Sequence, residues 1–430
     1  MEKFVIEGGH QLSGSVKPGG SKNEALPCLA ATLLTDEAIT LKNVPRINDV
    51  LVMLQVMEDL GGSHEWIDEN TVRVHNKNVN KTELDRELCR QVRASILFAG
   101  SMLGREERCE LPPPGGDVIG RRRLDTHFLA LEALGAEIEV KEDRFSMRTD
   151  KLQGTQVFLD EASVTGTENA IMAAAVAQGT TTIRNAACEP HVQGLCRMLV
   201  SMGARIQGIG TNILTIEGTK GLWGCEHTIG PDYLEVGSLA GLAAVTGSEL
   251  TIEDVVAGDL RMIRMTLEKL GVVTHLEDGH LVVPADQPMR VDYDLNDAIP
   301  KIDDAPWPAF PTDLMSIAIT VATQSEGTVL FFEKMFEGRM FFVDSLIAMG
   351  ARIVFCDPHR VVVVGPSQLY GSTLESPDVR AGMSLLIAAL CAKGESTIYN
   401  IRQIDRGYER IDEKLKALGA KIERLPVESD

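Results

Sequence analysis

The sequence predicts a mixed α/β (α+β) protein of two large domains, each assembled from three copies of one helix-and-strand unit. Three observations lead there. The chain has 430 residues, 44% of them hydrophobic, and a single apolar core stops growing well before that length. A pattern recurs six times, in "DLGGSHEWIDENTVRV", "ALGAEIEVKEDRFSM", "SMGARIQGIGTNILTI", "KLGVVTHLEDGHLVV", "AMGARIVFCDPHRVVVV" and "ALGAKIERLPVE". Its first glycines, Gly61, Gly135, Gly203, Gly271, Gly350 and Gly419, stand 74, 68, 68, 79 and 69 residues apart.

Each element of the unit has a local reason. Before the glycine, stretches such as "RRLDTHFLALEAL" and "RGYERIDEKLKAL" place apolar residues three and four apart, the spacing of an amphipathic helix. The glycine predicts a left-handed helix end. Short β-branched runs follow, such as "ARIVF" and "RVVVVG", with a turn between them. A second apolar helix, as in "ENAIMAAAVAQ", and a strand entered through small residues, as in "GTTTIRNA" and "GESTIYNI", complete the unit. About 70 residues of this kind cannot bury their apolar faces alone. The period exceeds that of common solenoids, so three units per closed domain are expected, with a border near "CEHTIGPDYLEVG" and a ligand in the cleft between domains.

Charge and composition exclude several functions. With 42 basic and 62 acidic residues the formal net charge is -20, and that field repels nucleic acid and anionic membrane. No apolar run approaches the ~20 residues of a membrane helix, and "MEKFVIEGGH" lacks the features of a secretory leader. The expectation is a cytoplasmic protein without nucleic-acid partner, membrane insertion or obligate protein partner. Eight cysteines occur without a CxxC pair, as expected for reduced thiols. "CEPHVQGLC" is the nearest approach to a metal-ligand cluster, and nothing around it resembles a zinc site, so no metal is expected.

Candidate chemistry lies where charges sit beside glycine or proline. In "KPGGSKNEALP", Lys22 and Asn23 precede an apolar helix, and a helix start with a lysine suits an anion, although a capped helix accounts for it as well. "PPPGGDVIGRRRLDTH" joins a proline-glycine turn bearing Asp117 to a helix expected near "RRRLD". The arginine row offers planar donors for phosphate, and a solvated, ion-paired helix face explains it equally. In "FPTDL", "FEGRM", "SPDVR" and "IDRGYER", the residues Asp313, Arg339, Arg380 and Arg406 recur near helix starts or strand ends. Singly they read as caps or surface pairs; together they suggest one rim of the cleft.

Taken in order, "SKNEALP", "VRAS", "PGGDVIG" with "RRLDTH", "SVTGTEN", "DDAPWPAFPTDL", "FEGR", "DVRA" and "IDRGYERIDEKLKALGA" give the chain an end-to-end resemblance to the UDP-N-acetylglucosamine enolpyruvyl transferases. The resemblance implies a two-domain fold, an inside-out α/β barrel with three βαβαββ repeats per domain. Residues 21–229, with the loop 111–121, form the first domain, and 1–20 with 230–430 the second. It implies transfer of the enolpyruvyl group of phosphoenolpyruvate to the 3-hydroxyl of UDP-N-acetylglucosamine, with release of phosphate and no cofactor, as the first committed step of peptidoglycan precursor synthesis. Lys22 and Asn23 match contacts to phosphoenolpyruvate, with Lys22 near the proton transfers. Arg93, Arg122 and Arg406 match arginines on its phosphate and carboxylate, and Asp313 matches the carboxylate at the attacking hydroxyl. Arg122, Arg123, Leu124, Asp125, Thr126, Ser163 and Val164 fall where the UDP moiety is held. Met335, Arg339 and Arg380 match the second domain's share of the cleft.

The chain departs from the family at several positions. Asp117 stands where most members carry the loop cysteine, and a minority use aspartate. As a proton donor it needs its pKa raised from about 3.9, which burial does. Arg123, Thr126 and Asn48 stand where proline, leucine and lysine are common. A non-catalytic nucleotide-sugar-binding paralogue and a shikimate-type enolpyruvyl transferase are the alternatives. Retention of Lys22, Arg93, Asp313, Arg380 and Arg406 disfavours the first, and the "SKNEALP" motif disfavours the second.

Overall fold

The computed structural model describes residues 2–116 and 119–427. These divide into two compact units: a terminal unit of 2–19, 119–121 and 231–427, and an inserted unit of 20–116 and 122–230. Among the described residues each unit carries three small sheets and its own apolar core.

One repeat shows the plan. Strand Gln156–Phe158, helix Val164–Val176, strand Thr180–Arg184 and helix Pro190–Ser201 lead into a hairpin of Arg205–Gln207 and Ile213–Glu217. The first two strands run parallel, with Thr182 opposite Gln156, because a helical crossover joins them. The last strand is antiparallel to the second, with Ile183 opposite Leu214. The same βαβαββ order returns through Lys301–Asp303, Met315–Gln324, Gly327–Phe332, Val343–Ala348, Arg352–Asp357 and Arg360–Gly365. All six repeat glycines have positive φ, between 83° and 109°, where a Cβ would be strained.

Helices occupy the middle of each unit and sheets the outside. In the terminal unit, Tyr233–Thr246, Met315–Gln324 and Val379–Cys391 pack on one another, with twelve of fourteen, nine of ten and twelve of thirteen residues buried. Buried on nearly every side and mostly apolar, they belong in an interior. Small residues let them approach: a Cβ on Gly241 would lie 2.9 Å from Ile317 Cγ2. Lys22–Ala31, Phe98–Glu106 and Val164–Val176 make the corresponding trio in the inserted unit. Cutting a fully buried leucine such as Leu386 to alanine costs about 3 kcal/mol in such packing.

Distant chain segments close both units. Strand Glu2–Glu7 runs antiparallel to Glu395–Tyr399 on one side and Lys421–Pro426 on the other. Ser13–Val16 pairs in parallel with Glu249–Ile252, and Glu226–Thr228 with Ile39–Lys42. The inserted unit therefore interrupts the first repeat of the terminal one.

Two local expectations need correction. The helix expected near "RRRLD" begins at Asp125, with Leu124 at its cap. Arg93 Nη2 donates to the Arg122 carbonyl at 2.7 Å, which engages that oxygen with a side chain and leaves Arg122 and Arg123 outside the helix. Lys22 and Asn23 do not precede the apolar helix but are its first two residues, after Ser21.

Candidate functional site

In the inserted unit, close backbone approach sets the position of Lys22. A Cβ on Gly20 would lie 1.7 Å from the Asn43 carbonyl oxygen, and Ser21 N–H donates to the Gly230 carbonyl at 2.8 Å. Lys22 Nζ then pairs with the buried Asp49 carboxylate at 2.7 Å. The ammonium group is aimed rather than left to wave on its stem. Asn23 follows it on the same helix start.

Arg93 opens a 3-10 turn, Arg93–Leu97, beside the proline-glycine turn. A Cβ on Gly115 would lie 1.7 Å from the Arg90 carbonyl oxygen, and one on Gly116, at φ 112°, 2.7 Å from Arg93 Cβ. Only glycines let this turn lie against Arg90–Arg93. Burial first, then the neighbouring charge of Arg122, pushes the Arg93 guanidinium down to about 10. Among the described residues no carboxylate pairs with Arg93. An anion here relieves both stresses. Asp117, the expected acid, lies outside the described residues.

The expected UDP-binding residues fall together. Arg123 Nη2 donates to Asp160 Oδ2 at 2.8 Å and its Nε to Asp125 Oδ2 at 3.3 Å. Thr126 Oγ1 donates to Asp160 Oδ1 at 2.6 Å. Ser163 caps the helix that Val164 begins, accepting from Gly166 N–H at 3.2 Å. A Cβ on Gly166 would meet Thr126 Cγ2 at 3.2 Å, so Thr126, Ser163 and Val164 adjoin. Thr126 ties the start of its helix to Asp160, a bond that leucine cannot make.

His127 escaped the sequence reading, although it closes the "RRLDTH" motif. Buried, it accepts from Asn169 Nδ2 at Nδ1, 2.8 Å away, so its proton sits on Nε2, 3.1 Å from Thr165 Oγ1. Asn169 also accepts from Gly100 N–H at 2.8 Å and donates to the Ile96 carbonyl at 2.9 Å. Burial, with Arg93 adding to it, pushes the His127 imidazole down to about 3. It joins three helical segments as a neutral group.

In the terminal unit, Asp313 sits on the 3-10 turn Thr312–Leu314 that leads into helix Met315–Gln324. Arg339 Nη2 donates to its Oδ1 at 2.9 Å, and Arg380 Nε to its Oδ2 at 3.1 Å. Both arginines are buried, Asp313 less so. Arg380 is the second residue of a helix that Asp378 caps, accepting from Arg380 N–H at 2.8 Å, and its guanidinium lies 5.4 Å from the Tyr408 ring centroid. Arg406 ends the short helix Arg402–Asp405 and donates from Nη1 to Gln403 Oε1 at 3.0 Å. Met335 is partly exposed, on the turn that leads to Arg339. Asp313, Arg339 and Arg380 are thus brought into one group.

Residues 119–121 group with the terminal unit. Gly338 N–H donates to the Ile119 carbonyl at 3.0 Å, and Arg121 N–H to Glu337 Oε1 at 3.1 Å. A Cβ on Gly120, at φ 132°, would lie 2.6 Å from Glu337 Oε2. The segment following Asp117 is laid against the "FEGR" turn.

Among the described residues one group has the makings of a metal site, Glu24, Cys28 and His227, with ligand atoms within 4.8 Å of one another. Its chemistry is already used. His227 Nε2 lies 2.9 Å from Glu24 Oε1, Glu24 Oε2 accepts from Gly230 N–H at 3.2 Å, and burial pushes the Cys28 thiol well up. "CEPHVQGLC" forms no such group. No helix among the described residues is long and apolar enough to cross a membrane.

Comparison with known proteins places the chain in a family. The sequence pattern of EPSP synthase (3-phosphoshikimate 1-carboxyvinyltransferase) matches residues 6–415. UDP-N-acetylglucosamine 1-carboxyvinyltransferase of Treponema denticola is 59% identical over 423 residues, 98% of this chain and 99% of that protein. Its counterpart in Bradyrhizobium diazoefficiens is 56% identical over 99% of this chain and 98% of that protein. Among solved structures, the enolpyruvyl transferase NikO from Streptomyces tendae shares the fold with a TM-score of 0.88 at 22% identity, covering 99% of each chain. EPSP synthase from Acinetobacter baumannii gives 0.76 at 18% identity, over 99% of this chain and all of that one. Two units of three small sheets each and near-full-length identity above one half lead to one conclusion: the chain belongs to the EPSP synthase family, among its UDP-N-acetylglucosamine 1-carboxyvinyltransferases.

Proposed function

We propose that the protein transfers the enolpyruvyl group of phosphoenolpyruvate to the 3-hydroxyl of UDP-N-acetylglucosamine and releases inorganic phosphate, supplying a cell-wall precursor in the cytoplasm. The observation that carries the reading is the 59% identity to an enzyme of that name over nearly all of both chains. The presence of Lys22, Arg93, Asp313, Arg380 and Arg406 supports it.

The chemistry assigned to each group follows from its surroundings. Protonation of the methylene carbon of phosphoenolpyruvate, by Asp117, makes the adjacent carbon cation-like. The sugar hydroxyl attacks that carbon as its proton passes to Asp313. Departure of phosphate, with loss of a proton from the new methyl group, restores the double bond. Asp313 suits the base role because Arg339 and Arg380 hold both its oxygens and so fix where the carboxylate points. Arg93 and Arg122 suit the phosphate, whose charge relieves their mutual repulsion, and Lys22, aimed by Asp49, suits the same anion. Arg406 and Asn23 complete the phosphoenolpyruvate contacts. Arg123, Leu124, Asp125, Thr126, Ser163 and Val164 hold the UDP moiety, and Met335 borders the sugar.

Phosphate release measured with both substrates, and with each alone, tests the reading. Release that requires both is expected. Well-folded protein that binds UDP-N-acetylglucosamine without releasing phosphate would instead support a binding paralogue.

A further inference from the structure

Behind Asp313 lies a second acidic arrangement that the proposed chemistry does not use. Glu333 and Asp304 are both fully buried. Asp304 Oδ1 accepts the Lys334 N–H at 2.6 Å. Its Oδ2 has no donor among the described residues, and its carboxyl lies within hydrogen-bonding reach of the Glu333 carboxyl. Two ionised carboxylates in contact within a dry interior repel strongly. One proton between them removes that repulsion and supplies the missing donor, as in other carboxyl pairs that titrate as a unit.

The remaining bonds of Glu333 reach the reactive groups. It accepts from Thr312 Oγ1 at 2.9 and 3.1 Å, and Thr312 precedes Asp313. It accepts from Met335 and Phe336 N–H, each at 3.0 Å, so it shapes the turn whose Glu337 and Gly338 receive residues 119–121. Arg339 Nε lies 4.0 Å from its Oε2 while Nη2 of the same guanidinium holds Asp313. The other charged groups around it point elsewhere. Lys334 Nζ pairs with Asp303 at 3.1 Å, and His359 Nδ1 meets the Glu333 backbone carbonyl at 2.7 Å.

We infer that Glu333 and Asp304 form a one-proton carboxyl pair that positions Asp313, Arg339 and the 335–338 turn, and that loss of the proton loosens all three. Glu333 is a positioning residue here, since its contacts are to the groups that act. The environment agrees: burial first, then Asp304, pushes the Glu333 carboxyl up to about 8, against the pull of Arg339 and Thr312. An unfolded glutamate ionises near 4.3. Between those two values the folded protein holds a proton that the unfolded chain does not. Stability from this pair therefore declines as pH rises through the window and levels off above 8.

The activity arm of the test rests on the proposed function, and the stability arm does not. Wild type, Asp304→Asn and Glu333→Gln are compared by kcat/KM and by thermal melting from pH 5 to 9.5. In each variant an amide N–H supplies the bond between the two side chains at every pH. Wild type is expected to lose about tenfold in kcat/KM per pH unit above 8, and both variants to lose that limb. The difference in melting temperature between wild type and each variant should change across pH 5–8 and stay constant above it. A limb that persists unchanged in both variants overturns the positioning role, and a pH-independent difference in melting overturns the shared proton. Absence of turnover in wild type, with the melting behaviour as described, counts against the transferase reading and supports the pair.

Discussion

The inserted and terminal units each bring two arginines together, and they do so in opposite ways. Arg339 and Arg380 share one carboxylate, Asp313, and each is buried. Arg93 and Arg122 lie close with like charge, and Arg93 spends a donor on the backbone oxygen of Arg122. The first pair is complete as it stands, and its chemistry belongs to the acid it holds. In the second, like charges adjoin, an arrangement that an anion would favour. Buried arginines alone do not identify a binding site; the sign of their surroundings does.

Breaking the complete pair should have the largest effect. Asp313→Asn is expected to lower kcat by ~10²–10⁴-fold, the range for loss of a general base, and to lower the melting temperature because two buried guanidinium groups lose their counter-charge. Phosphate release and a thermal melt read both. The other pair should behave oppositely in stability. Arg93→Met is expected to raise KM for phosphoenolpyruvate ~10–100-fold, the weight of one or two charge-assisted hydrogen bonds, with the melting temperature unchanged or raised as repulsion is relieved. A fall as large as that of Asp313→Asn would erase the contrast.

A smaller effect concerns the neutral imidazole beneath Arg93. His127 is pushed down to about 3, whereas an unfolded histidine titrates near 6.5. Between those values the unfolded chain binds a proton that the folded one does not, so stability is lost as pH falls below 6.5, by up to ~1.4 kcal/mol per unit. His127→Gln should flatten that slope in denaturant titrations at pH 4–6.5. The smallest expected effect is none: if Asp117 stands in place of a loop cysteine, as the resemblance implies, the epoxide fosfomycin should cause no time-dependent inactivation, since a carboxylate is a far poorer nucleophile than a thiolate, and Asp117→Cys should introduce it. A covalent adduct on Asp117 in wild-type protein, seen by mass spectrometry, would reverse this.

The repeat was legible because a helix-ending glycine with positive φ has few substitutes, and six of them keep nearly equal spacing. The parallel strands and hairpins follow from β-branched runs beside those glycines. Boundaries were less legible. The helix start at Asp125 depends on Arg93, some 30 residues earlier, engaging the Arg122 carbonyl. The linkage of Asp313 with Arg339 and Arg380 spans 67 positions from Asp313 to Arg380, and no local pattern marks it. Glu333 carried no local signal, and His127 lay inside a stretch whose spacing predicts an amphipathic helix. Their character comes from desolvation and from partners on other elements, which composition and periodicity do not carry.

Placement of the strand Glu2–Glu7 between Glu395–Tyr399 and Lys421–Pro426 bears on how the protein is made. During synthesis, the inserted unit has all its strands once residue 228 has left the ribosome. Glu2–Glu7 must then wait about 170 further residues for its first neighbour and nearly two hundred for both. Through that interval it is a strand with two open edges and with Phe4 and Ile6 uncovered, so the terminal unit is the one whose completion waits for the end of the chain.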